Sequence, residues 1–283
     1  MAYQYETLEV SNESGVLTVS INNPPVNVMT LPLYTDLVGL TAEVEVDDAV
    51  RVVVFQSADP DFFIAHFDVE AILQFPIDSP PERALELSDF HKMCERVRTM
   101  PKATIVKMAG RAGGGGNEFA SSCDMRFGLR GKTVINQMEV ALGILPGGSG
   151  TQRLPRLVGR GRAMEICLGS DDIDAETAEQ WGYLNRIFDT ERDLDRFVES
   201  LAQRIASFPA EAIALCKASI NNAELPVTEG LVEEAFLFQQ TLRTEGAQRN
   251  MRKAMEMGLQ TRGGEMRMGE LCQELGAAAN DEG

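Results

Sequence analysis

Apolar positions along the chain change period several times, and each change marks an element. Residues 5–10 and 16–22 show partial alternation with β-branched residues, the mark of paired strands, with a turn expected over residues 12–15. The stretch NNPPVN at 22–27 ends that pattern, since two prolines donate nothing to a ladder. Residues 31–46 carry apolar side chains at helical spacing and stop before Asp47 and Asp48. RVVVFQS at 51–57 and ATIVKMAG at 103–110 are short continuous apolar runs, as expected of strands covered on both faces. A helical pattern over 82–99 separates them. The order of strand pair, helix, strand, helix, strand, helix predicts an α/β fold with parallel strands and helical crossovers.

Farther on, residues 124–137 read as one or two more strands around a turn at GLRGK. A glycine cluster at Gly147–Gly150 follows, expected to end one short helix and open another through Thr151 and Gln152. A helical series then runs on, interrupted by a strand-like segment at 183–188. From Pro209 the pattern is helical throughout, with one long stretch at 227–258 suited to packing or assembly. Residues 261–283, rich in glycine, alanine and charge, are expected to fray.

Chemistry concentrates in AGRAGGGGNEFASSCD at 109–124. The run Gly113–Gly116 lets backbone approach a ligand closely. Where such a run opens a helix, unpaired N–H groups point outward with the positive end of the dipole behind them, which suits an oxyanion. Glu118 follows Gly115 by about one helical turn, so a carboxylate and an amide can face the same reacting group. The same features would also serve a close-packed turn whose glutamate merely favours the first turn of the helix.

Charge and cysteine content narrow the classes. A net charge of −17 argues against nonspecific binding to nucleic acid or an anionic membrane. The five cysteines are scattered, odd in number and without CxxC spacing, so they read as reduced thiols and neither a disulfide framework nor a zinc site. No metal-ligand cluster, Walker motif or dinucleotide fingerprint occurs. With no leader-like N-terminus and no long apolar run, a cytoplasmic protein is expected.

FFIAHFDVEAI at 62–72, the glycine run, and NQMEVALGILPGGSGTQRLPRLVG at 136–159 together resemble the enoyl-CoA hydratase/isomerase (crotonase) superfamily, with likeness over residues 5–258. The resemblance implies a spiral of ββα units over residues 1–205, a C-terminal helical trimerisation region over 206–260 and a flexible tail over 261–283. It implies acyl-CoA thioester substrates, with coenzyme A as part of the substrate and no separate cofactor or metal, and a homotrimer or homohexamer. Carried across by position, Phe67 and Gly115 match two backbone N–H donors of an oxyanion hole, each such donor being worth about 3 kcal/mol. Glu118 and Glu139 match a pair of catalytic carboxylates, one ionised and one protonated in a hydration. Ala65, His66, Asp68, Gly114, Pro146 and Gly147 fall at positions that contact substrate.

Three departures stand out. The two glutamates are 21 residues apart, one more than the family pattern, with the extra residue assigned to the GLRGK turn, where an insertion is cheap. His66 stands where the family has a small residue. A basic residue that helps hold the CoA phosphates is missing from the segment after the second strand, with Arg111, Arg252 or Lys253 as replacements. Phe62, Phe63, Phe67 and residues 71–90 are expected to shape the acyl pocket. The leading function is hydration of a 2-enoyl-CoA or its reverse; double-bond isomerisation, hydrolase or lyase chemistry, and an acyl-CoA-binding subunit with little turnover remain as alternatives.

Overall fold

The computed structural model describes residues 3–76, 80, 85–225, 227–261, 270–272 and 274–275. Strands β1 (Leu8–Glu13) and β2 (Val16–Ile21) form an antiparallel hairpin. Its turn is tighter than the sequence pattern predicts: Ser14 and Gly15 alone make it, both with positive φ (52° and 83°), matching a two-residue turn that follows strand twist. Helix α1 (Leu31–Val46) has the bounds expected from its pattern, with Pro32 in the first turn, where a missing N–H costs nothing.

The chain then repeats one unit. Strand β3 (Val52–Ser57) is followed by the short β4 (Phe62–Ile64), the single-turn α2 (Val69–Ile72) and α3 (Asp89–Thr99). Strand β5 (Ala103–Met108), β6 (Arg111–Gly113) and α4 (Gly114–Ser122) form the second unit. The third is β7 (Met125–Leu129), β8 (Val134–Asn136) and α5 (Gly150–Val158). The first strand of each unit joins one sheet and the second strand joins another. Helix α6 (Arg160–Gly169), β9 (Ile173–Asp174), α7 (Ala175–Gln180) and β10 (Arg186–Phe188) complete both sheets. The larger has the order β1-β2-β3-β5-β7-β10, parallel from β2 onward; the smaller has the order β4-β6-β8-β9. This is the spiral of ββα units that the resemblance implies.

Helix α8 (Glu191–Ala206) explains why β3 and β5 read as unbroken apolar runs. Val52, Val54 and Ile105 face it in one cluster, while Val53, Phe55 and Val106 face the main core on the other side. Both faces are dry, so alternation disappears. Helices α9 (Ala210–Asn221), α10 (Val227–Leu242) and α11 (Glu245–Glu256) form the C-terminal block. Lys217 of α9 ties it to the core, donating to Asp124 Oδ2 (2.9 Å), Lys102 O (2.8 Å) and Val97 O (3.0 Å).

Three expected elements differ. Helix α3 begins at Asp89, where the Ser88 hydroxyl accepts from His91 N as a cap; part of the expected 82–99 helix lies outside the described residues. No helix precedes the second glycine cluster: residues 139–144 make successive turns, with Gly143 at φ 83°, and the helix opens only at Gly150. The single stretch at 227–258 is two helices, because the Thr244 hydroxyl caps a new start by accepting from Ala247 N. Most of the expected 261–283 tail lies outside the described residues.

The NNPPVN break has a structural purpose. Asn27 is buried with φ 51°, a conformation asparagine tolerates better than most residues. Its Nδ2 lies 2.8 Å from Ser57 Oγ, 3.2 Å from Phe63 O and 3.3 Å from both Ile21 O and Phe62 O, while its Oδ1 accepts from Asn23 N at 2.7 Å. It binds β2, β3 and β4 together. Asn27→Ala strands several of these groups in the interior and is expected to lower the unfolding free energy by about 2 kcal/mol, read as a lower urea midpoint at unchanged slope.

Candidate active site

The site lies where the spiral brings the β4–α2 connection against the start of α4. The Asn27–Met29 segment fixes that connection: Ala65 N donates to Asn27 O (3.2 Å), Met29 N to His66 O (2.8 Å) and Asp68 N to Met29 O (3.2 Å). This bridge uses the His66 carbonyl and the Asp68 amide and leaves the Phe67 amide outside it. Asp68 then caps α2, its carboxylate accepting from Glu70 N (2.9 Å) and Ala71 N (3.4 Å), so its side chain serves the backbone turn.

Helix α4 starts directly from β6 with Gly113 as its N-cap and no side-chain cap. Gly115, second in the helix, has no partner for its N–H within the helix. A β-carbon at Gly115 would lie 3.0 Å from Phe67 Cβ and 3.4 Å from Phe67 N. Glycine therefore lets the two amide-bearing residues sit side by side. At the neighbouring positions, a β-carbon on Gly113 would lie 2.5 Å from Ala65 O and one on Gly116 only 2.3 Å from Ile64 O.

Glu118 and Glu139 are both buried here. Glu118 Oε1 accepts from Gly148 N and Gly150 N, each at 2.8 Å. Those amides belong to the turn that opens α5, in which Ser149 adopts φ 113° and Pro146 packs under Gly150; Gly147 is at the surface of the same turn. Thus the second glycine cluster holds the Glu118 side chain. Burial pushes the Glu118 carboxyl up to about 7, and the charge of Glu139 pushes the same way against the two amide bonds. Glu139 is also raised, again first by burial, while a backbone hydrogen bond and the charge of His66 pull it down. Glu139 Oε1 lies 2.7 Å from the point where a Gly114 β-carbon would sit, and its Oε2 is buried without a hydrogen-bond partner. Glu139 lies close enough to Glu118 for the two charges to interact.

The apolar wall was only partly legible. Phe67, Tyr34 and Phe90 form a triangle of rings with centroids 6.0–6.2 Å apart, and Phe90 Cε1 lies 2.5 Å from the point where a Gly148 β-carbon would sit, beside Glu118. Tyr34 comes from α1 and carries no local signal of this role. Phe63, expected in the pocket, is fully buried in the core, and Phe62 lines a separate cavity of about 350 Å³ with Ala65, His66, Arg111, Asn136 and Met138. Arg111 is already engaged, its Nη2 at 2.6 Å from Asp172 Oδ1. Arg252 and Lys253 lie on α11, where Arg252 reaches Gln248 Oε1 at 3.4 Å. All five cysteines are unpaired, and among the described residues no three or more His, Cys, Asp or Glu side chains gather as a metal site. No helix among the described residues is long and apolar enough to cross a membrane.

Comparison with known proteins shows what the chain is similar to. A crotonyl-CoA hydratase of Syntrophomonas wolfei is 29% identical over 258 residues, covering 89% of this chain and 96% of that protein. A Rhizobium meliloti protein described as "Probable enoyl-CoA hydratase" is 33% identical over 252 residues, covering 87% and 94%. Among solved structures, an enoyl-CoA hydratase from Bacillus anthracis superposes with a TM-score of 0.80 at 26% identity, covering 89% of this chain and 97% of that one. Residues 11–262 match the family model described as Enoyl-CoA hydratase/isomerase, and with the spiral of ββα units and the paired glutamates in place the chain belongs to that family.

Proposed function

We propose that the protein hydrates a 2-enoyl-CoA to a 3-hydroxyacyl-CoA, or runs the reverse dehydration. The observation that carries this reading is the pair of buried carboxylates, Glu118 and Glu139, set beside two adjacent backbone donors, Phe67 and Gly115. The two amides donate to the thioester oxygen and stabilise the negative charge that moves onto it. Water's oxygen adds to the β-carbon and one water proton passes to the ionised carboxylate. The protonated carboxyl delivers a proton to the α-carbon, so the pair exchanges states and charge balances. Double-bond shift needs one shuttling carboxylate; two favour hydration. Coenzyme A enters as part of the substrate, and no separate cofactor takes part.

The triangle of Tyr34, Phe67 and Phe90 gives the acyl group an apolar wall. The decisive assay is loss of enone absorbance when purified protein meets crotonyl-CoA. Turnover supports the reading; binding of crotonyl-CoA without turnover removes short-chain hydration.

We further infer that copies of the chain assemble through the C-terminal helices as trimers or paired trimers in the cytoplasm. Helix α10 leaves Leu231, Phe236 and Phe238 more than half exposed, more apolar surface than a lone helix usually offers water. Phe236→Ser with Phe238→Ser is expected to lower the mass seen by light scattering to that of smaller species. An unchanged mass would place the interface elsewhere.

A further inference from the structure

Phe90 takes no part in the scheme above, yet its ring lies against one of the two carboxylates. A β-carbon on Gly148 would meet Phe90 Cε1 at 2.5 Å and Glu118 Oε2 at 2.4 Å, so ring edge and carboxylate oxygen close on the same gap. The two amides of the turn that opens α5 both donate to the other oxygen, Oε1. Oε2 is thus the oxygen left to a proton or to water, and the side chain beside it is apolar. The ring is held in place by its neighbours: Phe90 stacks on Tyr34 at an interplanar angle of 12° and meets Phe67 edge to face at 76°. It enters from the first turn of α3, an element that brings no other aromatic side chain.

Few charges compete with that ring. Glu139 bears on Glu118 from the turn after β8. Cys94 of α3 and Cys167 of α6 sense Glu118, but burial, the largest influence on each, pushes these thiols up to about 12 and about 11, so both are neutral. Arg153 of α5 is paired with Glu95, and Arg111 of β6 with Asp172. Among the described residues no cation forms an ion pair with Glu118. How readily water reaches its open oxygen therefore decides how easily the carboxyl ionises.

We propose that Phe90 is a positioning residue: its ring edge shields Glu118 Oε2 from bulk water, so that this oxygen is kept for the substrate and the reacting water. This rests on reading Glu118 as one of the two reacting carboxylates. Removing the ring lets water solvate the ionised form, and Glu118 then gives up its proton at a lower pH than the parent's value of about 7.

The test is a ¹³C NMR titration of the glutamate carboxyl carbons in the full chain without substrate, with the Glu118 signal assigned by its loss in Glu118→Gln. Phe90→Ala should lower the Glu118 midpoint by about one pH unit, roughly tenfold in proton affinity, while Phe90→Leu, which keeps an apolar group over the oxygen, holds it near the parent value. Phe90→Gln fills the gap with a polar side chain if alanine fails to fold, and should lower the midpoint as well. Val97→Ala is the control for general loosening: Val97 is fully buried on the same helix, and its loss should destabilise α3 without moving Glu118. In kinetics, the limb of kcat/KM near pH 7 should move down in Phe90→Ala and stay in Phe90→Leu, whereas a packing defect lowers the rate at every pH without moving the limb. A folded Phe90→Ala or Phe90→Gln protein with an unmoved Glu118, a Phe90→Leu protein that shifts as far as alanine, or an equal shift in Val97→Ala overturns the proposal. Because the titration needs no turnover, absence of crotonyl-CoA hydration would overturn the proposed function and leave the shielding of Glu118 to stand or fall separately.

Discussion

Glu118→Gln is expected to lose roughly a hundredfold or more of the crotonyl-CoA turnover while becoming more stable than the parent at neutral pH. The amide oxygen can still accept from Gly148 N and Gly150 N, so the side chain stays in place. What disappears is the exchangeable proton. The gain in stability follows from burial. The carboxyl titrates near 4.5 unfolded and near 7 folded, so the fold favours the protonated form. Below the unfolded value both states are protonated and the group costs nothing. As pH rises from about 4.5 to about 7 the unfolded chain ionises first, and the parent loses up to roughly 3 kcal/mol relative to the glutamine variant. Urea melts of both proteins across that range check the sign: the difference should open with rising pH and close in acid. Glu139→Gln should share the loss of turnover. A Glu118→Gln protein that keeps full activity would remove this carboxylate from the reaction.

Gly116→Ala should damage both fold and site. Its β-carbon would sit 2.3 Å from Ile64 O and 2.7 Å from Ile64 Cβ, and a backbone carbonyl in a strand has nowhere to retreat. Helix α4 must lift from β4, at about 3 kcal/mol on the scale of overpacked cores. Since α4 carries Gly115 and Glu118, and β4 leads to Phe67, activity should fall further than stability alone predicts. Gly161→Ala is the control. It lies in α6 with no atom within 4 Å of the new β-carbon, and is expected to be neutral or to stabilise by up to about 1 kcal/mol. If the two variants unfold at the same urea concentration, the close approach of α4 to β4 is not what holds the site.

The parts of this molecule legible in its sequence are those whose determinants are local. Helix α1 was readable to its bounds because its apolar spacing stops before Asp47 and Asp48. Gly115 and Glu118 stand out in the sequence because a short spacing and flanking glycines carry their signal, whereas Glu139 enters only through the family resemblance. Strands β4, β6 and β8 have three residues each, too few for any periodicity, so residue patterning alone does not reveal the second sheet. The split of the 227–258 stretch rests on a single hydroxyl, Thr244, whose capping bond a propensity pattern does not record. Tyr34 is more than thirty residues from Phe67 in sequence and meets it only through the packing of α1. The grip of Gly148 and Gly150 on Glu118 is likewise a contact between backbone and a distant side chain, invisible until the fold is known.

Asn27 has a consequence for how variants of this protein would be sorted. It touches neither carboxylate in any described hydrogen bond, yet the segment it anchors pairs with the backbone of Ala65, His66 and Asp68 on either side of Phe67. A mutational scan scored on turnover alone would group changes at Asn27 with those at Glu118 and Glu139. A parallel count of how much folded protein each variant leaves in the cell separates them: Asn27 substitutions deplete abundance, and the glutamine substitutions do not.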